Sequence, residues 1–156
     1  MDSLERYTSW FRGSTPYISA HRGKTFVVFL GGDALMHSNL VNIVHDLALL
    51  SVLGVRLAIV HGARPQLNDA LNDSLFHDGR RITSASEMQE VSAIFGALRA
   101  KLEALFSTGL PNTPLHNVEI NIVSGNFIAA NPVGIIDGLA HQCSGRPRSV
   151  NIDAMI

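Results

Sequence analysis

Glycine and arginine residues that could bind a small anion follow two apolar stretches of this chain. Gly31 and Gly32 come directly after the stretch Thr25–Leu30, and the turn 61–64, with the sequence His-Gly-Ala-Arg, comes directly after the stretch 55–60. Glycine exposes its backbone N–H groups because it has no Cβ, and arginine can form a forked pair of hydrogen bonds with a carboxylate or a phosphate. We therefore predict that both turns contact a small anionic ligand.

Two further groups of residues extend this prediction. A Ser-Gly-Asn turn follows a third apolar stretch at 118–123, and Arg81 comes shortly before a predicted helix. The predicted ligand-binding residues are Gly31, Gly32, His61, Gly62, Ala63, Arg64, Arg81, Ser124, Gly125 and Asn126. Arg80 is a second candidate for an anion contact. The alternative stays open, because structural turns and arginines in surface ion pairs would give the same pattern.

Motifs of known catalytic or cofactor sites are missing from the sequence. It contains neither the G-x-G-x-x-G pattern of dinucleotide sites nor the G-x-x-x-x-G-K-[ST] pattern of phosphate-binding loops. The seven histidines show no metal-ligand spacing, and the single cysteine, Cys143, has no neighbouring motif. We predict no catalytic residue, no metal site and no cofactor within this chain.

The first two apolar stretches predict a β-α-β unit. Short apolar stretches that are separated by a helical pattern are typical of parallel strands. Between them we predict a helix that is capped by Ser38 and ends at Gly54, with an apolar face formed by Leu40, Ile43, Val44, Leu47 and Leu50. Parallel strands place their carboxyl ends at one edge of a sheet, where open α/β proteins bind ligands. The predicted fold class is α/β, with the site at this edge.

Two more helices are predicted downstream of this unit. The first opens at Pro65, and a loop at 76–79 and a short extended piece at 80–83 follow it. Its inward residues are Leu67, Ala70, Leu71 and Leu75. The second begins with a capping box of Ser84 and Glu87 and ends at Gly109. Its apolar stripe predicts a buried face, which consists of Met88, Val91, Phe95, Leu98, Leu102 and Leu105.

The last part of the chain is predicted to be β-structure. A Pro- and Asn-rich connection at 109–117 leads to a third buried strand at 118–123. Short β-like pieces at 127–130, 133–136 and 149–152 alternate with turn dipeptides such as Asp137-Gly138. This pattern predicts a β-hairpin or flap that is appended to the sheet.

The N-terminal segment 3–12 is predicted to form a short helix that stops at Gly13 and Pro16. Its apolar residues lie on one side of the helix and are Leu4, Tyr7, Trp10 and Phe11. Such a surface either packs on its own domain or mediates contact with another subunit. Both interpretations remain open at the level of sequence.

Composition excludes several classes of protein. Of the 156 residues 46% are hydrophobic and 16% are charged, with a formal net charge of −1, which is typical of a folded domain. No basic cluster indicates a nucleic-acid surface, and no apolar stretch approaches the ~20 residues of a membrane span. One cysteine cannot form an internal disulfide, and no secretory signal is apparent. A cytoplasmic protein is expected.

Taken together, these residues resemble the amino-acid kinase family, and within it the bacterial N-acetylglutamate synthase branch. The similarity rests on L-G-G-D-A at 30–34, H-G-A-R-P-Q at 61–66, N-T-P-L at 112–115 and V-S-G-N-F at 123–127. It also includes P-Y-I-x-x-H-R-G-K-T-F-V at 16–27, R-I-T at 81–83, and S-G-R and I-D-A near the end. The resemblance implies the N-terminal part of a three-layer sandwich with a mainly parallel sheet and an appended β-hairpin.

Two departures from the family pattern bear on activity. Family kinases carry a lysine two residues before the first glycine, where this chain has Phe29, and their second turn is H-G-G-G, where this chain has Ala63 and Arg64. The resemblance therefore implies loss of phosphoryl transfer and a regulatory or assembly role, with acetyl transfer from acetyl-CoA in a separate domain. By position, Arg81 matches the arginine that holds the substrate carboxylate in the kinases.

These expectations divide the chain into an N-terminal arm, residues 1–23, and an incomplete kinase-like domain, residues 24–156. The implied partners are a small amino-acid-like ligand, such as glutamate, acetylglutamate or arginine, and further copies of the chain joined through the N-terminal helix. Neither nucleic acid nor a membrane is an expected partner. Two alternatives are an active amino-acid kinase-type phosphotransferase and a non-catalytic oligomerisation module.

Overall fold

A computed structural model describes residues 3–72, 74–108, 118 and 120–155 of the chain. The predicted β-α-β unit is confirmed, since strands β1, Thr25–Leu30, and β2, Arg56–His61, pair in parallel with Leu30 opposite His61. The remaining elements are α1 Ser3–His21, α2 Gly32–Met36, α3 Leu40–Val52, α4 Arg64–Ala70, β3 Leu75–His77, β4 Arg80–Ile82, α5 Met88–Ser107, β5 Ile128–Pro132, β6 Ile135–Ile136, β7 Leu139–Ala140 and β8 Gly145–Val150.

The hydrophobic core lies between one face of the β1–β2 pair and the helices α3 and α5. Side chains alternate between the two faces of a strand, so every second residue of β1 points toward these helices. The core residues are Leu30, Leu35, Leu40, Val44, Leu47, Ala48, Leu102 and Phe106, with Val28, Leu57 and Ile59 packed against them. The opposite face of β1 is open, and its Val27 and Phe29 are 73% and 69% exposed.

Helix α3 has the predicted apolar face, but its start differs from the prediction. Leu40, Val44 and Leu47 are buried as expected. Asn39 occupies the N-cap position in place of Ser38, because the short helix α2 and the residues after it take up the chain up to that point. Gly54 follows the C-cap with a φ of 93°, a left-handed conformation that favours glycine and ends the helix as predicted.

Helix α1 is longer than the sequence pattern indicated, so the predicted stop at Gly13 and Pro16 is wrong. An internal proline removes the hydrogen bond to the carbonyl four residues earlier in the helix, which for Pro16 is the carbonyl of Arg12. Ser14 and Thr15 donate side-chain hydrogen bonds to the carbonyls of Trp10 and Phe11 at 3.0 and 3.1 Å. Neither of these is the Arg12 carbonyl that Pro16 leaves without a helical donor, yet the helix continues through the proline to His21.

The capping box of α5 is present, although the helix itself begins only at Met88. The backbone N–H of Ser84 donates to Glu87 Oε2 at 2.6 Å, and the Glu87 N–H donates to Ser84 Oγ at 3.3 Å. The prediction of a fully buried stripe is wrong at the N-terminal half, where Met88 and Phe95 are exposed. The C-terminal half packs in the core through Leu102 and Phe106, with Leu98 and Leu105 packed against it, whereas Val91 and Phe95 line a cleft beside α4.

A β-hairpin stands where a loop at 76–79 was predicted. Leu75 is an exposed residue of β3 and not an inward residue of α4, and Phe76 pairs with Arg81 across the hairpin. The turn consists of Asp78 and Gly79, both with positive φ. An Asp-Gly pair between two short extended segments is a strong hairpin signal, and it was present in the sequence.

The predicted flap is confirmed as two nested antiparallel pairs. Strands β5 and β8 form the outer pair, and β6 and β7 form the inner pair around the turn at Asp137 and Gly138. The third buried strand is a wrong prediction, because residues 118 and 120–127 belong to no strand. Within this apolar stretch Ile120 packs against the core, whereas Val123 is exposed.

Candidate functional site

The two predicted glycine turns lie side by side at the carboxyl ends of β1 and β2. The N–H of Gly62 donates to the carbonyl of Leu30 at 2.8 Å, which continues the parallel ladder by one residue. A Cβ on Gly62 would lie 3.5 Å from the nitrogen of Gly32 and 3.8 Å from the Cα of Gly31. The β-α-β unit thus brings the first two sequence motifs together, as predicted.

The first turn is also packed tightly against the start of α4. A Cβ on Gly32 would lie 2.5 Å from Pro65 Cδ and 2.5 Å from Gln66 Oε1, so no larger residue fits there without a shift. Gln66 Nε2 donates to the carbonyl of Gly32 at 2.8 Å. The H-G-A-R-P-Q stretch therefore joins the second turn, the first turn and α4 into one rigid unit.

A cleft of about 410 Å³ opens beside this unit, between α4, the β3–β4 hairpin and the N-terminal half of α5. Of the predicted site residues, Ala63, Arg64 and Arg81 line it. Its other lining residues are Leu67, Asn68, Phe76, Gly79, Thr83, Val91 and Phe95. Two arginines and an amide among apolar and aromatic side chains form a suitable environment for a small organic anion.

Arg81 is held in place by three groups of the chain itself. It donates from Nη1 to the carbonyl of Leu71 at 3.1 Å and from Nη2 to Asn68 Oδ1, and its Cζ lies 4.7 Å from the centre of the Phe76 ring. A guanidinium has five N–H donors, so these contacts leave donors free while they fix its plane. Arg81 is therefore a preorganised cation at the wall of the cleft.

Arg80 points away from the cleft. It pairs with His77 in the hairpin, and neighbouring residues of a strand face opposite sides, so it lies on the face opposite Arg81 and Phe76. It is exposed and does not line the cleft. Of the two adjacent arginines, only Arg81 lines the cleft.

Glu87 provides a negative charge close to Arg81. Its carboxylate accepts hydrogen bonds from the Ser74 hydroxyl and from the N–H and hydroxyl of Ser84. The hydrogen bond from Ser74, those from Ser84 and the charge of Arg81 lower the pKa of Glu87 to about 2. Glu87 thus stays ionised and stabilises both the start of α5 and the cation in the cleft.

His61 and Gln66 carry buried polar atoms without a partner. Nδ1 of His61 and Oε1 of Gln66 accept or donate no hydrogen bond within the described part of the chain. The His61 ring packs against Phe95, with ring centres 5.8 Å apart. Such unpaired buried atoms are uncommon in native proteins.

The predicted Ser-Gly-Asn turn at 124–126 does not line the cleft and makes other contacts. Ser124 donates to Glu103 of α5, and a Cβ on Gly125 would meet the ring of Phe127 at 3.1 Å. Ser124, Gly125 and Asn126 would lie at the sheet edge if a third strand preceded them, and residues 118 and 120–123 form no strand. The structure therefore gives these three residues no place at the cleft.

Asn68, Phe76 and Phe95, which line the cleft, and Gln66, which contacts the first turn, were not predicted as site residues. The sequence pattern predicts a helix at Asn68, a loop at Phe76 and a buried stripe that includes Phe95, and Gln66 is part of the H-G-A-R-P-Q motif. The Asp-Gly turn at 78–79 predicts the hairpin that places Phe76 opposite Arg81, so this signal was available. No local signal could have paired Asn68 with Arg81, since they are 13 residues apart along the chain.

Comparison with known proteins identifies the fold family. The family model described as "Amino acid kinase family" matches residues 24–155. The chain belongs to the amino acid kinase family. The match covers most of the chain, so the α/β fold class expected from the sequence is confirmed for this family member.

Curated relatives of this amino acid kinase family member are named amino-acid acetyltransferases. The proteins of Yersinia pseudotuberculosis and Serratia proteamaculans are 47% and 48% identical to it over 149 residues, which is 93% of this chain and 34% of theirs. The chain therefore spans about one third of the length of these relatives. None of the helices in the described residues is long and apolar enough to cross a membrane.

Solved structures give the same result. N-acetylglutamate synthase from Neisseria gonorrhoeae, complexed with coenzyme A and L-arginine, superimposes with a TM-score of 0.83 at 30% identity, over 95% of this chain and 36% of the synthase chain. A second structure of that synthase, complexed with coenzyme A and N-acetyl-glutamate, gives a TM-score of 0.79 at 30% identity. The resemblance seen in the sequence motifs is confirmed.

Proposed function

We propose that this chain is the N-terminal part of the kinase-like regulatory and assembly domain of an N-acetylglutamate synthase, the enzyme of the first step of arginine biosynthesis. The observation that carries the proposal is the 47–48% identity to amino-acid acetyltransferases over 93% of the chain. Acetyl transfer from acetyl-CoA to L-glutamate belongs, in this proposal, to a separate domain of the whole enzyme.

Loss of phosphoryl transfer is part of this proposal. Phosphoryl transfer depends on positive charge and free backbone N–H groups around the phosphates. Phe29 stands where the family pattern has a lysine, and Ala63 and Arg64 stand where it has glycines. An active kinase is therefore less well supported than a domain that has kept the fold for binding and assembly.

The cleft supports a small amino-acid-like anion as the ligand. Among its described lining residues Arg64 and Arg81 are the charged side chains, and Asn68 adds an amide. One charge-assisted hydrogen bond contributes about 1.5–3 kcal/mol, so an open cleft of this kind binds glutamate or N-acetylglutamate weakly. We expect L-arginine to bind poorly, because the resemblance implies an effector pocket that needs the N-terminal helix together with further parts of the fold.

Calorimetric titration with N-acetyl-L-glutamate, L-glutamate and L-arginine tests the ligand. Arg81→Ala should weaken N-acetylglutamate binding about 10- to 100-fold, which corresponds to the loss of one charged hydrogen bond. Arg80→Ala is the matched control, because it removes the neighbouring charge from the opposite face of the same hairpin. Unchanged binding in Arg81→Ala, with Arg80→Ala equal to the wild type, would remove Arg81 from the site.

The assembly part of the proposal rests on α1. Its residues Leu4, Tyr7, Trp10 and Phe11 are all more than half exposed, so they do not pack on the rest of the described chain. Exposed apolar surface of this extent is typical of an interface with another molecule. We propose that a second copy of the chain covers this apolar surface of α1. The mass of the protein in solution decides between an oligomer and a monomer.

A further inference from the structure

The β3–β4 hairpin has two faces with different contacts. Phe76 and Arg81 pair across the hairpin and line the cleft on one face. On the other face, the ring of His77 packs edge-on against the ring of His141 at 5.3 Å, and His77 Nε2 lies 3.6 Å from Asp137 Oδ2. His141 and Asp137 belong to the flap, the segment 128–150, so the hairpin lies between the cleft and the flap.

The closest link between flap and hairpin is the side chain of Ser144. This serine is only 8% exposed. Its backbone groups bond inside the flap, where its N–H donates to the carbonyl of His141 at 2.8 Å and its carbonyl accepts from Val133 at 2.9 Å. Its hydroxyl leaves the flap, accepts from the N–H of Thr83 at 3.0 Å and donates to the carbonyl of Arg81 at 2.9 Å.

Thr83 is bound to the flap through both of its backbone groups. Besides its N–H, its carbonyl accepts a hydrogen bond from the N–H of Cys143 at 3.0 Å. Thr83 and Arg81 both line the cleft. The flap therefore fixes the backbone of Arg81 and Thr83. Asn68 and Leu71 fix the guanidinium of Arg81.

We propose that Ser144 is a positioning residue for the anion cleft, through which the flap sets the place of Arg81. A hydroxyl that donates and accepts at once fixes both the distance and the register of the strand that it touches. A binding group has to be held within about 0.5 Å of its working position, so a shift of β4 against α4 moves the guanidinium out of reach of a ligand. The ligand in this inference rests on the proposed function, whereas the positioning of Arg81 does not.

Ser144→Ala tests the inference, because it removes only the hydroxyl. Hydrogen exchange of the Thr83 amide, followed by NMR, should become about five- to tenfold faster, which corresponds to the loss of one hydrogen bond. The Arg81 Nε–Hε signal should shift or broaden, and N-acetyl-L-glutamate should bind about five- to tenfold more weakly. Ser144→Thr keeps the hydroxyl and should restore the Arg81 signal.

Ser149→Ala is the matched control, since Ser149 is an exposed serine of the same flap. Amides of α3 report whether each variant is folded, and Ser144→Cys, which has a similar volume and a weaker hydrogen-bonding group, replaces Ser144→Ala if that variant does not fold. An unchanged Thr83 amide and an unchanged Arg81 signal in the folded variant would overturn the inference. If the wild type binds no N-acetylglutamate, the proposed ligand fails, and the two NMR signals still decide the role of Ser144.

Discussion

The ring of Phe29 reaches the second glycine turn, since a Cβ built on Gly62 lies 3.4 Å from Phe29 Cζ. An uncharged aromatic side chain thus lies beside the second glycine turn, at the position where the resemblance to the family kinases implies a lysine. The ring is 69% exposed on the open face of the sheet, so it adds little to the core. At this position the chain therefore presents an apolar, uncharged surface.

We predict that the purified chain neither phosphorylates N-acetyl-L-glutamate nor acetylates L-glutamate. Phe29→Lys should restore the positive charge but no kinase activity, because Ala63 and Arg64 still occupy the second turn. ADP release from ATP and coenzyme A release from acetyl-CoA measure the two reactions. Turnover by the wild type in either assay would contradict the prediction, and turnover by Phe29→Lys alone would show that the lysine is the decisive loss.

Gly32→Ala is predicted to destabilise the protein. The new Cβ would lie 2.5 Å from Pro65 Cδ and 3.1 Å from the Arg64 nitrogen, and these backbone-linked groups cannot move without displacing α4. Overpacking of this kind costs about 1–3 kcal/mol of unfolding free energy. Urea unfolding monitored by circular dichroism measures the change.

Gly96→Ala is the control for this substitution. Gly96 lies inside α5, and a Cβ there meets no atom within 4 Å. Alanine is the better helix former, so the variant should be more stable by about 0.5–1 kcal/mol. If both alanine substitutions changed the free energy of unfolding equally, the close contact between the first turn and α4 would not limit the residue size at position 32.

The sequence predicts the parts of this structure that depend on local patterns. Short apolar stretches located β1 and β2, helical periodicity located α3, and turn dipeptides located the flap. The two glycine turns could be placed together because the carboxyl ends of neighbouring parallel strands lie at one edge of the sheet. The failures have physical causes as well. Apolar composition cannot separate a buried strand from a coil segment that only contacts the core, as at 118 and 120–123. A proline lowers helix stability but does not always end a helix, as α1 shows.

The wall of the cleft shows the limit of such prediction. Arg81 could be named from the sequence, but its partners Asn68, Leu71 and Phe76 come together only when α4 and the hairpin pack. The contact from Ser144 crosses 63 residues of chain. Hydrogen bonds over such separations leave no trace in local periodicity, so they become visible only in the folded structure.

Glu87 is predicted to make stability depend on pH in the acid range. Its pKa is lowered from 4.5 to about 2 in the folded state, chiefly by the hydrogen bond from Ser74. The folded protein therefore binds this proton less tightly than the unfolded chain, so the contribution to stability is present above pH 4.5 and is lost as the pH falls toward about 2. Glu87→Gln should be less stable than the wild type at neutral pH, and the difference should shrink in this window.

Urea unfolding at stepwise lower pH measures this effect, and Ser74→Ala should show part of it because it removes the largest cause of the shift. Glu90→Gln is the control, since Glu90 is an exposed carboxylate in the first turn of the same helix. A Glu87→Gln difference that stays constant from neutral pH down to about pH 2 would contradict the assignment of the lowered pKa to the folded state.

Self-association through α1 is the last prediction. The helix presents Leu4, Tyr7, Trp10 and Phe11 to solvent, and the rings of Tyr7 and Trp10 already contact each other with centres 6.2 Å apart. Complete burial of a large apolar side chain contributes about 1.5–3 kcal/mol, so four such residues on two copies suffice to offset the cost of association. Light scattering should therefore give a mass above that of one chain, and deletion of residues 1–12 should lower it.

The substitution pair Trp10→Ser and Phe11→Ser, made together, is the sharper test, because it removes apolar surface and leaves the rest of α1 in place. The control is Arg6→Ser combined with Arg12→Ser, which changes two residues of the same helix and leaves its four apolar side chains in place. The first pair should lower the mass and the second should not. If the wild type already has the mass of one chain, or if the first pair leaves an oligomer intact, α1 is not the contact between copies, and another surface, such as the open face of β1 with Val27 and Phe29, has to hold any assembly.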